Sequence, residues 1–452
     1  MEGKCMGVTH HEFDFDGGSC MRFLQIHKKI HGCIFGNDEL KKSIDEGGID
    51  KLIFADASPK EPINDIDVKI YDHHKSNESE DNRSGAAGDK TAFDIMLESV
   101  GICNENPAKI EKWRKLVKLG DQKSEPDDMD ITRALKRVHT LLENDNETYE
   151  KWFVPLFDSF FANEPHFDCA IKVLQNSISE YISNNPNSPA RPFMQKWMER
   201  MRNKEKIQRS TLRNIVHFMA YMDEDTARKW SNLLLEGYHK EQTVFQECKR
   251  DFNKARLDFF GDTLVISAIS ANPKFVQVAR YMIFSKKEDV AQLIKEKIKD
   301  RNSLWTVLLL NPKNKNFQIF INGNKDRSQV IICELIKAIR AELLLKRSAF
   351  VPSRDVLSDG GIIEGTEPLY FHKLETGYPS ILWGSLKHPS KIQATEFGNT
   401  SAEIHSRLVE IIKLALDKDE YVYGCNPSKC QDCPICRWQL QKCEDKRKSH
   451  TT

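Results

Sequence analysis

The sequence predicts an α/β protein, and two observations in its first 120 residues support that class. Short apolar runs alternate with amphipathic stretches, which indicates strands joined by helices and therefore a parallel sheet. Acidic and histidine residues follow the apolar runs, where the strands are expected to end. Because open α/β sheets bind ligands at the carboxyl ends of their strands, we expect these polar residues to converge at one edge of the sheet.

The elements of this first region follow from the alternation. The predicted strands are residues 6–9, 33–36, 51–55 and 68–71, and the predicted helices are residues 20–27, 38–45 and 90–99. Asn37 is the predicted N-cap of the second helix, because an Asn side chain accepts a hydrogen bond from the first backbone N–H groups of a helix. A further helix is expected to end at residues 116–120.

The rest of the chain changes pattern twice. From about residue 130 to 260 the apolar residues take helical spacing, and strands are predicted again at 263–268, 305–310 and 317–321, with helices at 273–285, 289–298 and 329–345. We therefore predict a catalytic domain in 1–130, a helical connecting region in 131–260, a second, smaller α/β domain in 261–420 and a Cys-rich segment in 421–452. The polar stretch 183–189 is typical of a loop or hinge.

The length and composition of the chain limit its number of domains, its class of substrate and its expected location. A chain of 452 residues is expected to hold two or three domains. The formal net charge is +0 with 30% charged residues, which argues against an overall basic field for long nucleic acids and favours short or small substrates. There is no run of eighteen apolar residues and no signal-peptide pattern, and the 12 cysteines are partly scattered singly. We expect a cytoplasmic protein with reduced thiols and no membrane partner.

Four short clusters contain the residues that chemistry would need. They are His10 with Asp14 and Asp16, then Asp56, then Asp72-His73-His74, and then Asp121. Imidazole and carboxylate ligands together suit a divalent cation such as manganese, with zinc or magnesium as alternatives. Two glycines follow Asp16, and we expect them to let the backbone close around the bound group.

The order and spacing of these clusters resemble the DHH phosphoesterase superfamily, which is named after its Asp-His-His motif. The resemblance covers roughly the first third of the chain. Members of the superfamily include single-strand exonucleases, oligoribonucleases, cyclic-dinucleotide phosphodiesterases and manganese pyrophosphatases. Any one cluster could arise by chance, whereas four clusters in register make the resemblance specific.

The resemblance implies a centre of two manganese ions. Its ligands would be His10 and Asp14 at one ion, and Asp16, His73 and Asp121 at the other, with Asp56 as the bridge. Water bound there would supply hydroxide at neutral pH. As the catalytic residues beside the ions, His74 would face the phosphate as a donor or acid, and Asp72 would orient the histidines.

Simpler interpretations exist for each cluster taken alone. Asp14 and Asp16 can cap a helix, and the two histidines of the third cluster can be surface residues. The joint occurrence of the clusters favours the metal site. His11 precedes Asp14 by three residues instead of four, so His10 fits the motif better. We expect His11 to be a solvent-facing residue of the strand, with a hydrogen-bond donor behind the metal ligands or a contact to the substrate as the alternatives.

The second α/β domain is expected to bind the substrate. Many members of the resembled superfamily have a Gly-Gly-Gly-His motif there, and this chain has none, since Gly360-Gly361 lacks the histidine. The nearest substitutes are residues 353–354, 326–328 and 383–389, and among them we predict Arg354 and His388 as substrate-binding residues. Trp383 precedes His388 and could stack a base, although a buried tryptophan before a turn fits the same pattern.

Four cysteines, Cys425, Cys430, Cys433 and Cys436, lie within twelve residues near the end of the chain. Such clustering indicates a metal site, and a structural zinc ion is the favoured occupant. The successive Cys-x2-Cys-x2-Cys spacing also suits an iron–sulfur cluster, and a redox-sensitive segment without metal is the remaining interpretation.

These observations predict a manganese-dependent phosphoesterase of the DHH type. It would hydrolyse phosphodiester bonds of short single-stranded oligonucleotides or cyclic nucleotides through metal-bound hydroxide. An inorganic pyrophosphatase or polyphosphatase would use the same centre, but it needs a cage of basic residues that the sequence does not show after the catalytic motifs. A non-catalytic DHH-type scaffold subunit would be expected to lack ligands, yet all six positions are filled. A homodimer stays open as the oligomeric state.

Overall fold

The computed structural model describes residues 4–59, 63, 65–72, 90–101, 106–121, 128–142, 144–202, 213–261, 263–272, 274–285, 294, 296, 303–322, 325–352, 354–373, 379–384 and 390–416. The chain divides into two compact units, Met1–Thr243 and Val244–Thr452. Several predicted site residues lie outside the described residues, namely His73, His74, His388, Cys425, Cys430, Cys433 and Cys436. No helix in the described part of the chain is long and apolar enough to cross a membrane.

The first unit contains the parallel sheet that the sequence predicts. Its strands are β1 (Lys4–Thr9), β2 (Gly32–Phe35), β3 (Ile49–Ala55) and β4 (Asp67–Tyr71). Their order is β2-β1-β3-β4, and every neighbouring pair is parallel. The carboxyl ends of β1, β3 and β4 therefore lie side by side at one edge, with β3 between the other two.

Four helices belong to this sheet region: α1 (Phe15–Ile26), α2 (Asn37–Asp45), α3 (Ala92–Val100) and α4 (Pro107–Asp121). Helix α1 begins at Phe15 and not at Cys20, because the Asp14 side chain caps it. The prediction of Asn37 as an N-cap was wrong. Gly36 takes that place with φ +83°, a conformation that glycine adopts without strain, and Asn37 is already the first helical residue.

The helical stretch of the first unit comprises α5 (Ile131–Leu142), α6 (Asp145–Thr148), a π-helical turn (Tyr149–Phe153), α7 (Val154–Ala162), α8 (Phe167–Asn184), α9 (Arg191–Met201), α10 (Ile215–Met219) and α11 (Glu224–Lys254), the last of which ends in the second unit. Its side chains share one hydrophobic core with the sheet region: Phe13, Trp113, Trp152 and Tyr238 all belong to it. The boundary predicted at residue 130 thus falls inside a continuous core.

The second unit has a mixed sheet, which agrees with the predicted second α/β domain. Its strands are β5 (Arg256–Phe260), β6 (Thr263–Ile269), β7 (Trp305–Leu310), β8 (Phe317–Asn322), β9 (Leu369–His372) and β10 (Ser380–Trp383), in the order β5-β6-β7-β8-β10-β9. Strands β6 and β7 are parallel, and the other neighbouring pairs are antiparallel. The helices are α12 (Phe275–Ser285), α13 (Lys325–Lys346), α14 (Arg354–Leu357) and α15 (Ser401–Leu416), with a 3-10 turn at Thr395–Phe397.

The two glycines after Asp16 serve packing in this structure. Both lie in the first turn of α1 and are buried. A Cβ atom on Gly17 would overlap the hydroxyl of Thr9, and one on Gly18 would come within 2.9 Å of the rings of Phe13 and Phe153. Their missing side chains therefore let α1 approach the end of β1 and the aromatic core closely.

We expect Gly17→Ala to lower the free energy of unfolding by about 1–3 kcal/mol through overpacking, although alanine is the better helix former. Urea denaturation measures this loss. In a Thr9→Ala background the overlap disappears, so the same substitution should cost much less. Gly360→Ala is the control, since a Cβ atom there meets Lys373 at an ordinary 3.4 Å. If the two substitutions lower the free energy of unfolding by strictly additive amounts in the double variant, the overlap between Gly17 and Thr9 is contradicted.

Candidate metal centre

Polar side chains converge at the carboxyl edge of the first sheet. His10 directly follows β1, Asp56 follows β3, and Asp72 follows β4. Because the three strands are parallel neighbours, residues that are separated by 62 positions in the sequence leave the sheet at the same edge. The convergence expected from the pattern of strands is therefore present for the residues that the structure describes.

Three of the predicted ligands form a compact cluster. The Nε2 atom of His10 lies 3.1 Å from Oδ2 of Asp56 and 4.0 Å from Oδ1 of Asp14. One ligand atom from each residue lies within 4.8 Å of the other two. The Asp56 side chain is 3% exposed, whereas His10 and Asp14 are 37% and 46% exposed. One nitrogen and two oxygens thus lie close enough together to bind one divalent cation.

Burial and neighbouring charge make the ionised form of Asp56 unfavourable. Burial raises the pKa of Asp56, and the carboxylates of Asp14 and Asp16 raise it further, whereas the hydrogen bond from His10 lowers it. The net result is a pKa of about 7. A cation at this point would relieve the repulsion between the carboxylates, so the electrostatics fit a metal site.

The imidazole of His10 is protonated at neutral pH in the absence of metal. Burial alone lowers the pKa of His10, but the hydrogen bond to Asp56, the bond to the His11 carbonyl and the nearby charge of Asp14 outweigh it and raise the pKa to about 9. Because a metal binds the neutral ring, a cation and this proton compete for His10.

The backbone is strained beside the cluster. Glu12 and Asp56 have φ values of +56° and +53°, a region that residues other than glycine seldom occupy. The Asp56 N–H donates to the Tyr71 carbonyl at 2.8 Å, which ties the turn after β3 to the end of β4. Strain of this kind persists where the surrounding structure holds it, and it concentrates at functional sites.

Asp14 and Asp16 both bind backbone N–H groups at helix starts. Oδ1 of Asp14 accepts hydrogen bonds from the N–H groups of Asp16 and Gly17, at 2.8 and 3.1 Å. The two oxygens of Asp16 accept from Ala92 and Phe93 at 2.7 Å each, at the start of α3. The capping interpretation of these residues is therefore right, and for Asp14 it coexists with a place in the metal cluster.

The other residues predicted for the first unit are only partly described. Asp121 is the last residue of α4, and its side chain lies outside the described part of the structure. Asp72 accepts a hydrogen bond from the Ser58 hydroxyl, which links the loops after β3 and β4. The expected contact of Asp72 with the neighbouring histidines involves residues outside the described ones.

A small cleft borders Asp14, one residue of the cluster, and sequence reasoning missed part of its wall. Its polar lining includes Glu12, Asp14, Asp16, Thr132 and Lys136. Lys136 is the one basic side chain among the described residues that line it. It lies on α5, within the region predicted as a connection, where an exposed lysine looks like part of any solvated helix face.

The structure also corrects the account of His11. Its side chain is 64% exposed, as predicted, but it belongs to the turn after β1 and not to the strand, and its Nδ1 lies 2.8 Å from Oδ2 of Asp145. Sequence reasoning missed Asp145, because a single acidic residue at the start of a helix is common and gives no signal of its own.

The predicted substrate residues of the second unit are less well defined. Arg354 begins α14, but its side chain lies outside the described part. Trp383 is fully buried, and its Nε1–H donates to the Ile392 carbonyl at 2.8 Å. The interpretation of Trp383 as a base-stacking residue was therefore wrong, since its ring packs inside the core of the unit.

A scan against protein-family models finds no match, and a search of curated proteins finds none either. The solved structures that match include DHH proteins. RecJ of Thermus thermophilus, in complex with Mn²⁺, is 11% identical over 91% of this chain and 52% of RecJ, with a TM-score of 0.39. A DHH domain from a member of a family of ribosomal proteins is 11% identical over 91% of this chain and 86% of its own, with a TM-score of 0.40. The pGpG-specific phosphodiesterase PggH of Vibrio cholerae is 12% identical over 73% of this chain and 87% of its own, with a TM-score of 0.31.

The chain thus spans about half the length of RecJ. The order of the motifs in this chain resembles the order found in the same superfamily. The geometry of His10, Asp14 and Asp56 is observed in this chain itself and does not depend on these similarities.

We expect Asp16→Ala to lower the free energy of unfolding of the metal-free protein by about 1–3 kcal/mol, because two buried N–H groups at the start of α3 lose their acceptor. Urea denaturation in the presence of a chelator measures this. Asp225→Ala, which removes an exposed carboxylate from the first turn of α11, is the control. An unchanged metal-free stability would show that Asp16 does not support the fold in this way.

Proposed function

We propose that this chain is a metal-dependent phosphoesterase that hydrolyses phosphodiester bonds of short single-stranded oligonucleotides or cyclic nucleotides. The observation that supports it most strongly is the convergence of His10, Asp14 and Asp56 at the carboxyl edge of a parallel sheet. Manganese suits this set of nitrogen and oxygen ligands. A divalent metal bound there acts as a Lewis acid and lowers the pKa of coordinated water.

The chain offers ligands for two ions under this proposal. His10 and Asp14 would hold one ion, and Asp16, His73 and Asp121 the other, with Asp56 between them. A carboxylate has about four lone-pair sites. Asp16 can therefore keep both hydrogen bonds to α3 and still offer a lone pair to a cation.

The charge of the cleft explains why the substrate would need the metal in order to bind. Glu12, Asp14 and Asp16 line the cleft, and their negative charges together repel a phosphate group. Lys136 is the cation that the described lining offers, and we assign it to a non-bridging phosphate oxygen. His74 is the proposed proton donor to the leaving oxygen, and Asp72 its positioning residue.

The proposed substrate is short. The net charge of +0 provides no overall attraction for a long polyanion. Arg354 and His388 of the second unit are proposed to contact the nucleotide. Pyrophosphate would need a basic cage, and the described lining of the cleft offers Lys136 alone.

We expect the full chain with Mn²⁺ to cleave a phosphodiester and the chelated chain to leave it intact. The substrates are a labelled short single-stranded oligonucleotide, a cyclic dinucleotide, a chromogenic diester and pyrophosphate. Asp56→Asn should lower kcat/KM on the diester by about a thousandfold or more, since metal-based stabilisation of a transition state amounts to several kcal/mol. The control is Asp45→Asn, at the exposed end of α2, which should keep wild-type activity.

Two results would overturn the proposal. Cleavage of pyrophosphate with all diesters left intact would make the chain a pyrophosphatase. A wild-type chain that cleaves none of the four compounds, with or without bound Mn²⁺, would be a scaffold.

We expect Lys136→Gln to raise KM for the diester roughly tenfold with little change in kcat, because a hydrogen bond from a charged group contributes about 1.5–3 kcal/mol and less at an exposed position. Steady-state kinetics at saturating Mn²⁺ measure the two constants. Lys229→Gln, on the exposed face of α11, is the matched control. If KM stays at the wild-type value, Lys136 does not contact the substrate.

A further inference from the structure

The turn that carries His10 and Asp14 is bound to two helices of the first unit. The Glu12 N–H lies 3.2 and 3.1 Å from the two carboxylate oxygens of Asp145, at the start of α6. The Phe13 carbonyl lies 2.8 Å from Nε2 of His139, on α5. Both backbone contacts fall between the two metal-binding residues, where they control the path of the chain.

His139 and Asp145 also bind each other. Nδ1 of His139 lies 3.1 Å from Oδ1 of Asp145, and both side chains are less than 9% exposed. The ring of His139 thus lies between two oxygen acceptors, the Phe13 carbonyl on α1's side and the Asp145 carboxylate at the start of α6. Burial alone would raise the pKa of Asp145. Its hydrogen bonds with His139 and with the Glu12 N–H lower this pKa, and so does the nearby charge of His139 and His11.

One of these contacts is made by Glu12, which is also the strained residue of the turn. Glu12 has φ +56°, and a residue other than glycine adopts this conformation only when its surroundings hold it there. The Asp145 carboxylate accepts the hydrogen of that same residue. If the turn relaxed, the distance of 4.0 Å between Nε2 of His10 and Oδ1 of Asp14 would not be kept.

We propose that Asp145 and His139 are positioning residues of the metal centre, which hold the strained turn at Glu12 so that His10 and Asp14 can bind one cation together. The inference rests on the proposed function in one respect, namely that the centre binds a divalent metal. It assigns to α5 and α6 a part in metal affinity that their sequence does not indicate.

The test measures Mn²⁺ affinity directly, from the electron paramagnetic resonance signal of free Mn²⁺ titrated with protein. Asp145→Ala should raise the dissociation constant of Mn²⁺ about 10–100-fold, the usual effect of removing a group that orients a ligand. Asp145→Asn should raise the dissociation constant of Mn²⁺ less than Asp145→Ala does. The remaining side-chain oxygen still accepts a hydrogen bond from the Glu12 N–H, whereas the amide nitrogen cannot accept one from His139. At saturating Mn²⁺, kcat should recover towards the wild-type value.

A control of the same kind tests whether Asp145 contributes to stability alone. Asp158→Ala removes a carboxylate that accepts from Nε of Arg22 at 2.8 Å, elsewhere in the first unit. It should lower the melting temperature of the metal-free protein and leave the Mn²⁺ dissociation constant unchanged. Should Asp145→Ala fail to fold, Asp145→Asn and His139→Gln are measured in its place, with an expected loss of Mn²⁺ affinity of several-fold or more.

The outcomes distinguish this inference from the proposed function. Wild-type Mn²⁺ affinity in a folded Asp145→Ala or Asp145→Asn protein would overturn the positioning role and leave the phosphoesterase intact. A wild-type chain that binds Mn²⁺ but cleaves no substrate would refute the phosphoesterase, while the effect of Asp145 on Mn²⁺ affinity would still decide the positioning role.

Discussion

The buried carboxylate of Asp56 is the constraint on which the centre of the first unit depends. Its side chain is 3% exposed, at the end of the strand between β1 and β4, and the carboxylates of Asp14 and Asp16 raise its pKa together with burial. A protein retains such an arrangement only if something compensates the charge. In the metal-free chain the imidazole of His10 does so at 3.1 Å, and a cation is the stronger compensation.

The carboxylates around Asp56 also support the structure that presents them. Asp14 caps α1, and Asp16 binds the first N–H groups of α3, so each places a negative charge at the positive end of a helix. These contacts fix the side chains before any cation arrives. The orientation of the acidic residues is therefore a result of folding, and little reorganisation is left for metal binding.

The fold of the first unit was largely predictable from local patterns. Strands β1 to β4 appear where apolar runs had indicated them, and the polar residues after β1 and β3 meet as expected. The boundaries were less well predicted, because they depend on single capping contacts. The Asp14 side chain starts α1 at Phe15, and a left-handed Gly36 displaces Asn37 as the cap of α2.

What the sequence by itself determined is the α/β class, the parallel direction of the first strands and the identity of His10, Asp14 and Asp56 as residues at one edge of the sheet. Periodicity and strand ends are local properties of the chain, so they can be read without the fold. Only the tertiary structure decided that Asp16 caps a helix 76 residues away and that Asp145 binds the turn at Glu12 across 133 residues. Contacts over such distances arise from the packing of separate helices, and no local pattern of residues encodes them.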